Sequence, residues 1–180
     1  KTDEALIKMK NKITDKWYKT KNNKVIIAAG KLAKWKGFDD LIKAAKILVQ
    51  KKINIKVVII GDGPEKNSLL KLVRQYKLEN KVIILKPVIN TLKYFYNSDI
   101  FVLSSRVEGM PNVMIEAMMC GCTVVATNCP TGPREIINKD KYGFLAKVNN
   151  PNDLANKIYQ AINKKNSIKQ TEKILNKFTE

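Results

Sequence analysis

The sequence has 180 residues and a formal net charge of +18, from 34 lysines and arginines against 16 aspartates and glutamates. A chain of this length can bury a hydrophobic core as one domain without disulfides or metals. The charge predicts anionic partners such as phosphates, nucleic acid or an acidic membrane surface, and a generally basic solvated surface is the plainer alternative. No apolar run reaches the roughly 18 residues that a membrane-spanning helix needs, so we expect any membrane contact to be peripheral.

In chain order, residues 1–23 predict a charged lead-in helix and linker, with Trp17 and Tyr18 packing on the domain. Short β-branched runs then predict five strands, which begin at Lys24, Ile55, Lys81, Asp99 and Cys122. Amphipathic stretches predict the main helices at residues 38–51, 65–76, 111–120 and 151–162. The Lys- and Asn-rich residues 163–180 predict a helical tail.

The alternation of strands and helices indicates the fold class. Continuous apolar runs of this length are typical of strands that are buried on both faces, as in a parallel sheet. The pattern therefore predicts an α/β fold, a Rossmann-like doubly wound parallel sheet, over residues 24–162. Ligands of such sheets bind at the carboxyl ends of the strands.

The loop after the first strand, in AAGKLAKWKGFDDLI, predicts a phosphate site. Gly30 permits a sharp turn, Lys31 and Lys36 bracket the loop, and Gly37 precedes a helix whose first amides are free to bind an anion. Two ammonium groups beside a helix start suit a diphosphate, and ordinary surface lysines are the alternative. The loop lacks the G-x-G-x-x-G pattern, which argues against a dinucleotide-binding oxidoreductase.

Two glutamates stand out in SSRVEGMPNVMIEAMMCGCTVVAT. Pro111 suits the first turn of a helix, which places Glu108 in the preceding loop and Glu116 near the second turn. We predict that Glu108 accepts hydrogen bonds from sugar hydroxyls and that Glu116 binds a ribose diol. Apolar residues flank Glu116, so we expect its charge to need a specific partner. The alternative is an exposed loop acid at 108 and a turn cap or lysine partner at 116.

The three cysteines, Cys120, Cys122 and Cys129, lie within one short stretch. Their odd number and the lack of a signal peptide favour reduced thiols and a cytoplasmic location. Because the sequence contains no histidine, a zinc site would need a carboxylate as its fourth ligand. We therefore expect buried thiols and no metal.

Four stretches, in order, resemble the carboxyl-terminal nucleotide-sugar-binding domain of the retaining glycosyltransferases of family 4. They cover about residues 24–162 and read GKLAKWKGFDDLIKA, IIGDGPEKNSL, EGMPNVMIE continuing into AMMCGCTVVAT, and CPTGPREII followed by YGFLAKVNNPNDLANKI. The resemblance implies one half of a GT-B glycosyltransferase, in which two Rossmann-like domains enclose a cleft and this half binds the nucleotide sugar.

The resemblance also implies roles for individual residues. Lys31 and Lys36 would neutralise the diphosphate, Glu108 would hold the donor sugar, Glu116 would hold the ribose, and Val88 would help to cradle the base. The implied catalytic residues are Glu108, Lys36 and Lys31. The implied donor-binding residues are Gly30, Lys31, Lys36, Val88, Glu108, Gly109, Met110, Pro111, Asn112 and Glu116.

The implied reaction is a front-face transfer with retention of configuration, in which lysines and helix-end amides stabilise the leaving diphosphate without a metal or another cofactor. The stretch CPTGPREII resembles bacterial polysaccharide enzymes that transfer galactose- or N-acetylhexosamine-type sugars from UDP. A UDP-sugar donor and a polysaccharide or lipid-linked acceptor are therefore expected. For Arg134 and Glu135 a helix-start ion pair is the alternative.

Two departures from the family pattern matter. The family usually has Arg at the position of Lys31, and a point charge binds phosphate less specifically than a planar fork, so weaker donor binding is expected. The amino-terminal acceptor domain, which commonly carries a catalytic histidine, has no counterpart in these residues. We expect another domain or subunit to complete the site and the isolated chain to be inactive.

The remaining expectations concern partners. The positive charge fits peripheral contact with anionic lipid at the inner face of a membrane. Two other functions stay open: a GT-B epimerase that acts on UDP-N-acetylglucosamine, and a basic nucleic-acid-binding module. The scattered aromatic residues argue against the second, so no nucleic-acid partner is expected.

Overall fold

The computed structural model describes Ile13, Tyr18 and residues 22–137 and 142–164. The predicted lead-in helix and C-terminal tail lie almost entirely outside these residues. The strands are β1 Lys24–Ala29, β2 Ile55–Ile60, β3 Val82–Leu85, β4 Ile100–Leu103, β5 Thr123–Thr127 and β6 Gly143–Ala146. The helices are α1 Phe38–Gln50, α2 Lys66–Gln75, α3 Thr91–Tyr96, α4 Asn112–Met119, α5 Pro133–Ile137 and α6 Pro151–Asn163, and a 3-10 turn spans Lys34–Lys36.

The six strands form one parallel sheet in the order β3-β2-β1-β4-β5-β6. Ile26 of β1 is the register partner of Val57 in β2 on one side and of Ile100 in β4 on the other. The chain order therefore reverses between β1 and β4, and their carboxyl ends form the crevice where ligands of such sheets bind. The structure confirms the predicted Rossmann-like fold.

Two hydrophobic cores cover the two faces of the sheet. Ile26 and Ala28 of β1 face a core shared with α1, α2 and α6, whereas Val25 and Ile27 face a core shared with α3, α4 and α5. Burial of one such aliphatic side chain stabilises the fold by roughly 1.5–3 kcal/mol. Burial on both faces is the reason that the strands read as continuous apolar runs.

The predicted strands and main helices did not include β6, α3 or α5. The β6 sequence, GFLA, contains no β-branched residue, and its pairing with β5 over Val124 to Thr127 is what makes it a strand. Helix α5 has only five residues, too few to show a helical period. In both cases tertiary contacts decide the structure.

The predicted start of α6 is confirmed at Pro151. The Asn150 side chain caps the helix, because its oxygen accepts a hydrogen bond from the amide of Asp153 at 2.9 Å. None of the helices in the described residues is both long and apolar enough to cross a membrane.

An ion cluster joins the start of α1 to the loop after β4. The Arg106 guanidinium donates to Asp39 at 3.0 Å and to Asp40 at 2.8 Å, and the Lys43 ammonium donates to the same two carboxylates at 2.9 and 3.3 Å. Two cations and two anions thus neutralise each other. Although partial burial opposes its ionisation, hydrogen bonds from Lys43 and Arg106 hold the pKa of Asp39 below its usual value.

Tyr18 anchors the segment before β1 to the end of α3. Its buried hydroxyl lies 2.8 Å from the Tyr94 carbonyl and 2.6 Å from Ser98 Oγ, and its ring packs edge-on against the Tyr94 ring. Burial raises the pKa of the phenol well above its usual value. The predicted packing of Tyr18 is confirmed, and Trp17 lies outside the described residues.

We expect Tyr18→Phe to lower the free energy of unfolding by about 1 kcal/mol, because one buried hydrogen bond is lost while Ser98 still donates to Tyr94. Urea denaturation followed by fluorescence measures this. Tyr159→Phe is the matched control, since Tyr159 is exposed and should tolerate loss of its hydroxyl. Equal stability of Tyr18→Phe and the wild type would contradict the anchor.

The lowered pKa of Asp39 predicts a pH-dependent contribution to stability. Ionised Asp39 stabilises the fold fully above the ordinary carboxyl pKa of about 4, and this contribution is lost as the pH falls through the lower pKa of the folded state. Asp39→Asn should therefore be less stable than the wild type at pH 6, with a difference that shrinks below about pH 4. Urea denaturation across this range is the measurement, with the more exposed Asp62→Asn as control. A difference that is constant with pH would contradict the assignment.

Candidate functional site

A cavity of about 240 Å³ opens at the carboxyl ends of β1, β2 and β3. It is lined by residues from the three strand exits and the start of α3: Ala29, Gly30, Lys31, Ile60, Gly61, Asp62, Pro87, Val88 and Thr91. Three predicted donor-binding residues, Gly30, Lys31 and Val88, are among them. Lys31 is exposed, and its ammonium lies 5.9 Å from the centre of the Trp35 ring.

Lys36 and Glu108 form an ion pair beside this cavity. The Lys36 ammonium donates to Glu108 Oε1 at 2.5 Å, and the Ser105 hydroxyl donates to the same oxygen at 2.5 Å. The two charged side chains are only 21% and 9% exposed. A Cβ built on Gly30 would lie 3.8 Å from Lys36 Cε, so the lysine chain runs along the cavity edge.

The loop after β1 is held by the residues that follow β4. We call residues 34–37 the phosphate turn. The carbonyls of Lys34, Trp35 and Lys36 accept hydrogen bonds from the Arg106 guanidinium, the Arg106 amide and the Ser104 hydroxyl, respectively.

Gly37 closes the phosphate turn with φ of 63°, in the left-handed region. A Cβ there would lie 2.1 Å from the Ser104 carbonyl oxygen. The turn therefore approaches β4 so closely that only glycine fits at this position.

The stretch CPTGPREII supports the loop that contains Glu108. The Thr131 hydroxyl donates to the Glu108 carbonyl, and a Cβ on Gly132 would lie 2.2 Å from the Gly109 carbonyl oxygen. Arg134 and Glu135 are both exposed, and within the described residues they form no ion pair with each other. The helix-start ion pair is therefore not observed.

Helix α4 begins at Asn112, one residue later than predicted, with Pro111 at its N-cap. No side chain caps this helix, and two of its first-turn amides already have acceptors, since Asn112 donates to the Met110 carbonyl and Met114 donates to the Pro111 carbonyl. Pro111 is buried, whereas Asn112 is exposed and Met110 is 66% exposed.

Glu116 is exposed, and no described residue forms a side-chain hydrogen bond or ion pair with its carboxylate. The alternative of a turn cap or a lysine partner is therefore not observed, and the contact with a ribose diol stays a prediction. The neighbouring apolar side chains pack inward, and the carboxylate lies in water, where it needs no protein partner.

The surroundings of Cys120 show which way Glu116 faces. Burial and the charge of Glu116, one turn earlier on the same helix face, raise the pKa of Cys120 to about 12. Cys120 Sγ lies 3.8 Å from the Leu92 carbonyl oxygen in α3. Glu116 thus lies on the face of α4 that is turned toward α3, and α3 begins at the cavity residue Thr91.

All three cysteines are free and buried, as predicted. Burial, followed by the charge of Glu108, raises the pKa of Cys129, which places this thiol behind the Glu108 loop. Among residues 22–137 and 142–164, no group of three or more His, Cys, Asp or Glu side chains could hold a metal ion.

Sequence reasoning missed Arg106, which binds the phosphate turn and α1. One signal was present: the chain has only three arginines, Arg74, Arg106 and Arg134, in a strongly lysine-rich sequence. An arginine beside the two predicted site loops indicates a need for a planar, multiply donating group.

Comparison with known proteins agrees with this geometry. A glycosyltransferase of Campylobacter jejuni, named as a 4-alpha-N-acetylgalactosaminyltransferase that acts on an undecaprenol-linked saccharide, is 38% identical over 132 residues, which are 73% of this chain and 35% of that protein. A TarM variant of Staphylococcus aureus, crystallised with UDP, superposes with a TM-score of 0.76 and 28% identity over 95% of this chain and 37% of its own. Anabaena HepE, crystallised with UDP and glucose, superposes with a TM-score of 0.72 and 28% identity over 85% of this chain and 41% of its own.

The chain spans well under half the length of the curated relatives that it matches, 39% and 35% of two of them. The family model described as glycosyl transferases group 1 matches residues 9–177, nearly the whole chain. This protein therefore belongs to the group 1 glycosyltransferase family, and its sheet is one Rossmann-like half of the GT-B fold.

Proposed function

We propose that this chain is the donor-binding domain of a retaining bacterial glycosyltransferase of family 4. The enzyme would transfer a hexose or N-acetylhexosamine from a UDP-sugar to a polysaccharide or lipid-linked acceptor. The observation that carries the proposal is the partly buried Lys36–Glu108 pair, which joins the loops after β1 and β4 beside the cavity at the carboxyl ends of β1, β2 and β3.

The position of these groups suits a nucleotide diphosphate sugar. A base and ribose would occupy the cavity near Val88 and Thr91, and the diphosphate would lie between Lys31 and the phosphate turn. The donor sugar would then extend toward Glu108 and the amides of Gly109 and Met110. Each charge-assisted hydrogen bond to phosphate is worth roughly 1.5–3 kcal/mol.

The relatives support the choice of substrates. TarM and HepE were both crystallised with UDP, which favours UDP as the nucleotide here. The Campylobacter enzyme is named for an alpha linkage and an undecaprenol-linked acceptor. An alpha product from the usual alpha-linked UDP-sugars means retention of configuration.

In the proposed reaction, the bond between the anomeric carbon and the diphosphate oxygen breaks, and the acceptor hydroxyl oxygen bonds to that carbon on the same face. The acceptor proton leaves with the departing phosphate oxygen. Negative charge grows on the diphosphate, and the ammonium groups of Lys31 and Lys36 would stabilise it without a metal.

Donor binding would redistribute the contacts of Lys36. Without a donor, the ammonium is paired with Glu108. When the diphosphate accepts hydrogen bonds from Lys36, the Glu108 carboxylate becomes free to accept hydrogen bonds from sugar hydroxyls, with Ser105 keeping it oriented. The exposed Glu116 carboxylate would exchange water for the ribose diol.

The proposal leaves the acceptor to another part of the enzyme. A second Rossmann-like domain would bind the acceptor and close the cleft, since the relatives are more than twice as long as this chain. A cytoplasmic location, with the +18 charge promoting contact with anionic lipid, completes the proposal. No comparison favours an epimerase or a nucleic-acid-binding module.

We expect UDP to stabilise this chain against heat, and Glu116→Ala to abolish that effect. If the Kd is near 1 mM, about 5 mM UDP adds roughly 1 kcal/mol, a shift of about 2–4 °C. ADP and GDP should give smaller shifts, since the base site is selective. Thermal unfolding by fluorescence is the measurement.

Glu79→Ala is the matched control for that experiment, because Glu79 is an exposed glutamate far along the chain from both site loops. It should keep the full UDP shift. Equal shifts with all three nucleotides, or an undiminished shift in Glu116→Ala, would mean that the lysines attract anions without a defined nucleotide site.

For the full-length enzyme, we expect transfer from a UDP-hexose or UDP-N-acetylhexosamine to an undecaprenyl-diphosphate-linked saccharide, with an alpha product visible by NMR. Glu108→Gln should slow transfer by about 100-fold, whereas Glu79→Gln should not. Activity should persist in EDTA. A beta product would contradict retention, and loss of activity in EDTA would contradict the metal-free mechanism.

A further inference from the structure

Arg106 reaches both sides of Gly37. Before Gly37, the Arg106 amide donates to the Trp35 carbonyl at 2.7 Å and the guanidinium donates to the Lys34 carbonyl. After Gly37, the guanidinium donates to the carboxylates of Asp39 and Asp40 in the first turn of α1. One side chain thus sets the path of the backbone into and out of the phosphate turn.

Protein acceptors engage all three nitrogens of the guanidinium and four of its five N–H groups. Its Nε donates to Asn149 Oδ1 at 2.6 Å, its Nη1 donates to Lys34, and its Nη2 is shared by the two aspartates. Each nitrogen therefore already has a protein acceptor. The nearby carboxylates also neutralise the charge, so Arg106 acts on a bound anion only through the residues that it holds.

The residue held most directly is Lys36. Its ammonium must lie beside Gly30 and within reach of Glu108, yet a lysine side chain has many rotamers. Fixing the backbone carbonyls on either side of Lys36 sets where its side chain begins, and the hydrogen bond to Glu108 then favours the rotamer that runs along the cavity edge. Ser104 completes the restraint by donating to the Lys36 carbonyl at 2.9 Å.

We propose that Arg106 is a positioning residue for the donor diphosphate, which it serves by fixing the phosphate turn and thereby the Lys36 ammonium at the cavity edge. This inference rests on the proposed function, because it takes the diphosphate as the group that Lys36 binds. It assigns a role to Arg106, which is not among the residues that line the cavity and is not a member of the Lys36–Glu108 pair.

Lysine cannot replace arginine in this role. An ammonium at position 106 could pair with Asp39 or Asp40, but it lacks a rigid fork that reaches Lys34 and Asn149 at the same time. Arg106→Lys should therefore keep part of the fold stability that the ion pair provides while losing the geometry of the turn.

The test compares UDP with uridine, which has no phosphate, by calorimetry. Arg106→Gln should weaken UDP binding by about tenfold and leave uridine binding unchanged, because misplacement of a binding group by about 1 Å is costly. Arg106→Lys should weaken UDP binding to a similar degree, and this variant should remain more stable to unfolding than Arg106→Gln. Arg74→Gln, which removes an exposed arginine elsewhere, controls for the change in net charge and should bind UDP like the wild type.

A double-mutant cycle separates positioning from general damage. In a Lys36→Ala background, Arg106→Gln should cause little further loss of UDP affinity, because the group through which Arg106 acts is gone. Losses that add fully, equal losses for uridine, or an unchanged UDP affinity in Arg106→Gln would each overturn the proposal.

Hydrogen exchange provides a readout that needs no nucleotide. The amides of Lys36 and Gly37 donate to the carbonyls of Ala33 and Lys34 and should be protected in the wild type. Arg106→Gln should speed their exchange and leave the amides of β1 unchanged. If the wild type fails to bind UDP, the proposed function fails, and unchanged exchange at these two amides would show separately that Arg106 does not hold the turn.

Discussion

The site depends on the hydrogen bonds that join the loop after β1 to the loop after β4. These strands are neighbours in the sheet but run on to helices on opposite faces, so their exits would diverge without a direct connection. Ser104 and Arg106 supply that connection through three consecutive carbonyls, and the absence of a side chain at Gly37 permits the close approach. The lysine from one loop and the glutamate from the other meet because of it.

This arrangement is compatible with the selective anion site that we propose for a chain with so much positive charge. Lys43 and Arg106 are neutralised by two aspartates, and Lys36 is held by Glu108. Among the residues that line the cavity, Lys31 is the cation, and it is exposed. Electrostatic attraction from the whole surface brings anions near, whereas the paired groups respond only to a ligand that can displace Glu108 in the correct geometry.

Much of this was predictable, because the predicted features depend on local chemistry. The strands read as apolar runs, and Asn150 and Pro151 mark a helix start. The phosphate site in the loop after β1 stays a prediction. Glu116 lies in the second turn of its helix, as predicted, whereas its contact with a ribose stays a prediction. Strand β6 and the Arg106 contacts, which join residues as distant as Arg106 and Lys34, depend on tertiary structure that no local pattern contains.

The two hydrophobic cores differ in how they relate to the cavity. The helices α1, α2 and α6 pack in one core, whereas α3, which begins at the cavity residue Thr91, packs with α4 in the other. Substitutions at the start of α3 can therefore reshape the cavity without disturbing the opposite core. Such a domain can change the shape of its cavity through the helices on one face of the sheet while the helices on the other face keep the fold stable.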